Sequence, residues 1–127
     1  MPQNESVIGI GTDIIAIDRF AKTYSKYDQK FVDKLFTKDE QEYCKKHADP
    51  IPFFAVRFSA KEAVSKALGC GLGEHLSFLD IEISKDKAGK PHVTLSENAS
   101  IHFNHPKIHL SLSHCKEYAT ATAIALR

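Results

Sequence analysis

Ile51-Pro52-Phe53-Phe54-Ala55-Val56-Arg57-Phe58-Ser59-Ala60-Lys61-Glu62-Ala63-Val64-Ser65-Lys66-Ala67-Leu68 is the longest stretch of the chain that reads as one regular element. Asp49-Pro50-Ile51-Pro52 stops one segment and opens this one. Proline suits a first helical turn, where its missing N–H would be unpaired anyway. Phe54, Ala55, Phe58 and Ala63 recur at helical spacing, and Gly69, Gly71 and Gly73 close the run. The spacing predicts a helix from about Ile51 to Leu68. Glu62 and Lys66 lie four apart on it and share one face. A carboxylate and an ammonium there could serve a metal-bound phosphate. The same pair could be a surface salt bridge worth roughly 0.2–0.5 kcal/mol. Ser59-Ala60-Lys61-Glu62 also fits a capping box, but the prolines place the helix start upstream and leave Glu62 in mid-helix.

Working outward, Thr37-Lys38-Asp39-Glu40 is a capping box that predicts a helix from about Lys38 to His47. Asp18 to Tyr27 reads as an amphipathic helix with a basic side of Arg19, Lys22 and Lys26. Val7 to Ile15 is an apolar strand carrying Gly9, Gly11 and, near its end, Asp13. Downstream, Phe78 to Ser84 alternates, with Leu79, Ile81 and Ile83 on one face. A turn over Asp86–Lys90 and a returning strand over His92–Leu95 make a hairpin. Ser96 caps a short helix reaching Phe103. Ile108–Ser113 and Tyr118–Leu126 alternate again, joined by His114-Cys115-Lys116-Glu117. Helices cluster early and strands late around one N-terminal strand. The expected fold is therefore α+β: a single small domain spanning residues 1–127, with an antiparallel sheet packed against the long helix.

Composition bounds the function classes. A chain of 127 residues with 43% hydrophobic and 26% charged residues can build one real core. The net charge of +1 directs it towards neither nucleic acid nor membrane, so an acidic partner must be met by a local basic patch. The longest apolar run falls far short of the ~18–20 residues of a membrane span. Met1 to Ser6 is polar and carries no signal-peptide core. Cys44, Cys70 and Cys115 are odd in number and widely spaced, which suggests neither a disulfide frame nor zinc. Reduced thiols and a polar N-terminus predict a cytoplasmic location.

Two acids stand out. Asp13 sits in an apolar strand, where a bare charge is costly and needs a partner or a metal. Its ordinary explanation is a cap for the following helix. Gly9 and Gly11 permit close backbone approach but do not form a dinucleotide fingerprint. Asp13 and Glu62 together suit Mg²⁺, which takes hard oxygens, keeps waters, and needs only one or two carboxylates beside substrate phosphates. Among the histidines, His114 ends the strand Leu110-Ser111-Leu112-Ser113, whose two hydroxyls share a face. His102, His105 and His109 resemble a metal set by number alone, since Pro106 breaks any helix that would align them. Cys115 carries no nucleophile signature.

Taken together, these segments resemble the holo-acyl-carrier-protein synthase family, the small 4′-phosphopantetheinyl transferases. Gly9-Ile10-Gly11-Thr12-Asp13-Ile14, Arg57 to Ala67, and Leu110 to His114 look like that family's three blocks, in the same order and at similar separations. The resemblance covers nearly the whole chain. Cys115 stands where a small hydroxyl residue is expected, and Ser59 where Ala is frequent. Neither departure is expected to touch the acids or Lys66.

The resemblance implies transfer of 4′-phosphopantetheine from coenzyme A to a serine of acyl carrier protein, releasing adenosine 3′,5′-bisphosphate, as fatty acid synthesis requires. It also implies magnesium and a homotrimer with active sites between neighbouring subunits. In it, Asp13 and Glu62 hold the metal, Glu62 is the base, and Lys66 serves the leaving phosphate. Arg57 and His114 contact coenzyme A, and Gly69 lets the chain pass close to the nucleotide. Arg19 would dock the acidic carrier with help from Lys22 and Lys26. Without the family, that basic side is an ordinary solvated face. Two rivals use the same residues: a magnesium-dependent nucleotide pyrophosphohydrolase, and a non-catalytic trimeric coenzyme-A-binding module.

Overall fold

The computed structural model describes residues 6–73 and 75–127. The polar lead-in therefore lies, apart from Ser6, outside the described residues. Strand β1 (Val7–Ala16) runs without a break into helix α1 (Ile17–Lys26). Helices α2 (Gln29–Leu35), α3 (Lys38–Lys45) and α4 (Ile51–Ala67) follow. A 3₁₀ turn over Phe78–Asp80 leads to β2 (Ile81–Lys85) and β3 (Pro91–Leu95). Helix α5 (Glu97–His102) and strands β4 (Lys107–His114) and β5 (Tyr118–Leu126) complete the chain.

The strands form two antiparallel sheets: β1-β5-β4 with β5 central, and the β2-β3 hairpin. Helix α4 packs on the larger sheet and is buried on nearly every side. Its N-terminal half joins Ile17, Phe20, Phe36 and Cys44 in one core cluster, and its C-terminal half joins Leu76, Ile81 and Ile83 in another. The sheet face it meets is built from small residues. Ala119, Ala121, Ala123 and Ala125 of β5 are all buried there. A side chain at Gly9 would run into the Ala67 carbonyl, and one at Gly11 into the Ala63 carbonyl. Strand and helix thus approach at backbone distance, and this places Asp13 against α4.

The helix ends as its glycines predict. Gly69 adopts φ +79°, and Cys70 N–H bonds back to Ser65 O, which satisfies a terminal carbonyl. The capping box at Thr37 is present in both halves. Two expectations need correction. The strand expected from Phe78 begins only at Ile81: the Asp80 carboxylate accepts from Ser77 N–H, curls Phe78–Asp80 into a turn and leaves Leu79 exposed. Helix α2 was not foreseen; Asp28 caps it by accepting from Lys30 N–H. Among the described residues, no helix is long and apolar enough to cross a membrane.

Candidate active site

Alternation along β1 points Asp13 towards α4 and its neighbours Thr12 and Ile14 away. The Asp13 carboxylate is shared between two residues of the helix. Ser59 Oγ donates to Oδ2 at 2.9 Å, and Lys66 Nζ approaches Oδ1 at 3.2 Å. Lys66 Nζ also donates to Thr12 O at 2.9 Å. Ser59 and Lys66 are seven apart, two turns along one stripe of the helix, so both reach the same strand. The expectation that neither departure from the family pattern touches the acids is overturned at Ser59. The close strand–helix approach brings its hydroxyl into bonding range.

Glu62 lies on α4 between those two residues and is half-buried. Burial raises its carboxyl above the ordinary range, the neighbouring Asp13 charge raises it further, and Lys66 opposes. Two acids and one ammonium therefore share a small volume, and the acids repel each other. A divalent cation relieves that repulsion, so the residues present fit one. The described residues contain no group of three or more His, Cys, Asp or Glu able to hold a metal ion. Two carboxylates fall short of a full cage and match the sparse ligation Mg²⁺ accepts beside phosphates.

The other expected residues lie elsewhere. Arg57 is two residues from Ser59, about 200° around the helix, and is almost completely buried on the opposite side of α4. Its guanidinium sits 4.3 Å from the Tyr43 ring centre and donates through Nη1 to Phe53 O. Its Nε and Nη2 have no hydrogen-bond partner. Arg57 borders a cavity of about 150 Å³ with Tyr43, Glu82, Ser84 and Lys85. His114 ends β4 with its ring edge-on to Phe53 at 5.9 Å, and Phe53 stacks on His47. Ser111 and Ser113 face the other side of the sheet from His114. Gly69 stands three residues beyond Lys66, with open space where a side chain would project. Arg19, Lys22 and Lys26 are exposed on α1.

Spacing within α4 could have linked Ser59 to Lys66, but nothing local ties either to Asp13. The buried Lys61 likewise carries no mark in the sequence; it is bound to Glu40 and to the carbonyls of Leu35 and Phe78.

Residues 9–123 match the 4′-phosphopantetheinyl transferase superfamily. The chain is 51% identical over 119 residues to a holo-[acyl-carrier-protein] synthase of Chlamydia muridarum, covering 94% of each protein. It is 48% identical over 117 residues to that of Protochlamydia amoebophila, covering 92% of this chain and 96% of the relative. Among solved structures, the Helicobacter pylori holo-[acyl-carrier-protein] synthase in complex with coenzyme A superposes with a TM-score of 0.84. It shares 38% identity over 91% of this chain and 98% of that one. The Neisseria meningitidis synthase gives a TM-score of 0.88 at 31% identity, over 95% and 99% of the two chains.

Proposed function

Because the chain belongs to the 4′-phosphopantetheinyl transferase superfamily, we infer that it is the holo-acyl-carrier-protein synthase of its organism. It transfers 4′-phosphopantetheine from coenzyme A to a serine of apo acyl carrier protein. The observation that carries this at the residue level is the meeting of Asp13, Glu62 and Lys66 across the β1–α4 contact.

Asp13 and Glu62 are the residues that would hold Mg²⁺. When bound there, the ion supplies charge stabilisation on the pyrophosphate oxygens. Glu62 is placed to take the serine proton, directly or through a water. Its place beside Asp13 and Lys66 puts it where the serine hydroxyl would meet the phosphate. The serine oxygen attacks the phosphorus that carries pantetheine. The bond from that phosphorus to the bridging oxygen breaks, and adenosine 3′,5′-bisphosphate leaves with the electron pair. Lys66, on a half-exposed side chain beside Asp13, neutralises the departing phosphate.

Coenzyme A would extend beyond these three residues. Arg57 and His114 are its remaining expected contacts, with the 3′-phosphate region the target for one of them. Gly69 lets the nucleotide pass close to the chain. Arg57 lies on the other side of α4 from Asp13 and Lys66 and is almost completely buried within its own protomer, so a site shared between neighbouring subunits is supported by the family membership and not by its position. A homotrimer is supported too by the outer face of the β1-β5-β4 sheet, which exposes Ile10 and Ile14 at 66% and 64% with Ile124 beside them. Arg19, Lys22 and Lys26 would receive the acidic carrier.

The test mixes the protein with apo acyl carrier protein, coenzyme A and Mg²⁺ and weighs the carrier by mass spectrometry. The expected result is one phosphopantetheine adduct per carrier. No adduct, with a control synthase active, would sink the reading. Hydrolysis of coenzyme A without any carrier would mark a pyrophosphohydrolase, and binding without turnover a non-catalytic module.

A further inference from the structure

The fold treats the two oxygens of Asp13 differently. Oδ2 accepts from Ser59, which is fully buried, whereas Oδ1 meets Lys66, whose side chain is 52% exposed. One hold is neutral, short and shielded from water. The other is charged, longer and flexible.

We propose that Ser59 is a positioning residue for the metal-binding carboxylate: its buried hydroxyl ties Asp13 Oδ2 to helix α4 and leaves Oδ1 as the oxygen that meets a divalent cation. This rests on the reading of Asp13 as a metal-binding residue. The terminal torsion of an aspartate is soft, with a broad, roughly two-fold profile, so the carboxylate plane is not set by the strand backbone alone. A hydrogen bond from a buried helical residue sets it. That helix also carries Glu62, one turn beyond Ser59. The two acids are therefore oriented from a single rigid element, even though they belong to different ones.

Ser65, on the same helix, shows what a buried helical serine does by default. Its Oγ donates to Glu62 O within its own helix at 2.7 Å. Ser59 reaches across to the strand instead. With Ala at position 59 the strand and helix would still pack, because the small residues of β1 and β5 make that contact. What would be lost is the fixed orientation of the carboxylate. Lys66 moves aside without leaving a buried charge, because its ammonium reaches solvent.

The test uses Mn²⁺ as the probe, with the free-ion signal followed by electron paramagnetic resonance. The full chain is saturated with coenzyme A and no carrier is added, so nothing turns over. Partners that orient a metal ligand are worth about 10- to 100-fold in affinity, and a neutral hydroxyl belongs at the low end. Ser59→Ala is therefore expected to weaken Mn²⁺ binding by about tenfold. Its unfolding midpoint should fall only modestly, because the better helix propensity of alanine offsets part of the lost hydrogen bond. Asp13→Asn serves as the reference. If Asp13→Asn weakens Mn²⁺ binding and Ser59→Ala changes it less than about twofold, well below that range, the positioning role is overturned while the metal reading stands. If neither changes it, the metal reading fails and takes this proposal with it. A purely structural Ser59 would lower the midpoint and leave the affinity of the folded fraction unchanged, which also overturns the proposal.

Discussion

Lys61 Nζ lies 2.7 Å from Glu40 Oε1, and neither side chain reaches solvent. The ammonium donates as well to Leu35 O and Phe78 O, while Glu40 accepts from Thr37 N–H and Ile83 N–H. Five segments meet at this one pair: the end of α2, the cap of α3, the middle of α4, the 3₁₀ turn and β2. Burial lowers the proton affinity of Lys61, and the Glu40 carboxylate pulls it back up. Removing one partner strands the other charge, which in buried pairs costs about 3–5 kcal/mol. Lys61→Met should therefore lower unfolding stability by about that much in urea titration. A loss under about 1 kcal/mol would mean that the pair is replaceable by packing.

Glu62→Gln separates chemistry from folding. Turnover should fall by about 10²-fold or more, the usual worth of a general base. Stability should not fall. Glu62 has a folded proton affinity above its unfolded value, so its favourable contribution is complete below the ordinary carboxyl value of 4.5 and disappears as pH rises through its raised pKa. At neutral pH the ionised Glu62 is a net burden without a cation. The difference in melting temperature between Glu62→Gln and the parent, measured in EDTA, should move in the variant's favour between pH 4 and pH 7. A shift in the opposite direction contradicts the assignment of burial and Asp13 as the causes.

Gly11→Ala tests the close approach of strand and helix. The new methyl meets the Ala63 carbonyl of α4, and backbone cannot swing aside as a side-chain end can. Overpacking typically costs about 1–3 kcal/mol, and this site belongs at the upper end. The same displacement draws Asp13 away from Ser59 and Lys66. Folded Gly11→Ala protein should therefore bind Mn²⁺ more weakly than the parent, whereas a stability loss with unchanged binding would show that the site tolerates a wider strand–helix gap.

Arg19→Glu concerns the carrier alone. The KM for acyl carrier protein should rise by roughly tenfold at low salt, with kcat and the KM for coenzyme A unchanged. The difference should shrink as salt rises, because the Debye length falls from about 30 Å at 0.01 M to about 8 Å at 0.15 M. An unchanged carrier KM at low salt removes Arg19 from the docking surface.

Long periodic elements were legible in the sequence. Helix α4, the capped α3, the β2-β3 hairpin and the alternating β4 and β5 stand where spacing puts them. Helix α2 was not, because seven residues hold too few repeats for a period and its only mark is Asp28. Phe78 to Asp80 looked like strand because Leu79 alternates with Ile81, and the Ser77–Asp80 capping bonds override that pattern. At the site, Asp13, Glu62 and Lys66 were legible as residues but not as partners. Lys66 was expected beside Glu62 on the helix surface, and its ion pair is with Asp13. Ser59–Asp13 and Lys61–Glu40 span 46 and 21 residues. Only the packed fold creates such pairs, and neither has a period to announce it.

The direct passage from β1 into α1 has a mechanical consequence. Ile17 N–H is pinned to Glu117 O in the β4–β5 turn, and no loop intervenes between Asp13 and Arg19. Asp13 and Arg19 are thereby held at a fixed spacing and phase on one stiff element. A single residue inserted between Ala16 and Ile17 would turn the helix by about 100° and carry Arg19 to another side, with Asp13 left in place. Carrier recognition should then fail while Mn²⁺ still binds. If Arg19 receives the carrier as proposed, a carrier would be measured by the spacing between its serine and its acidic surface as well as by its charge.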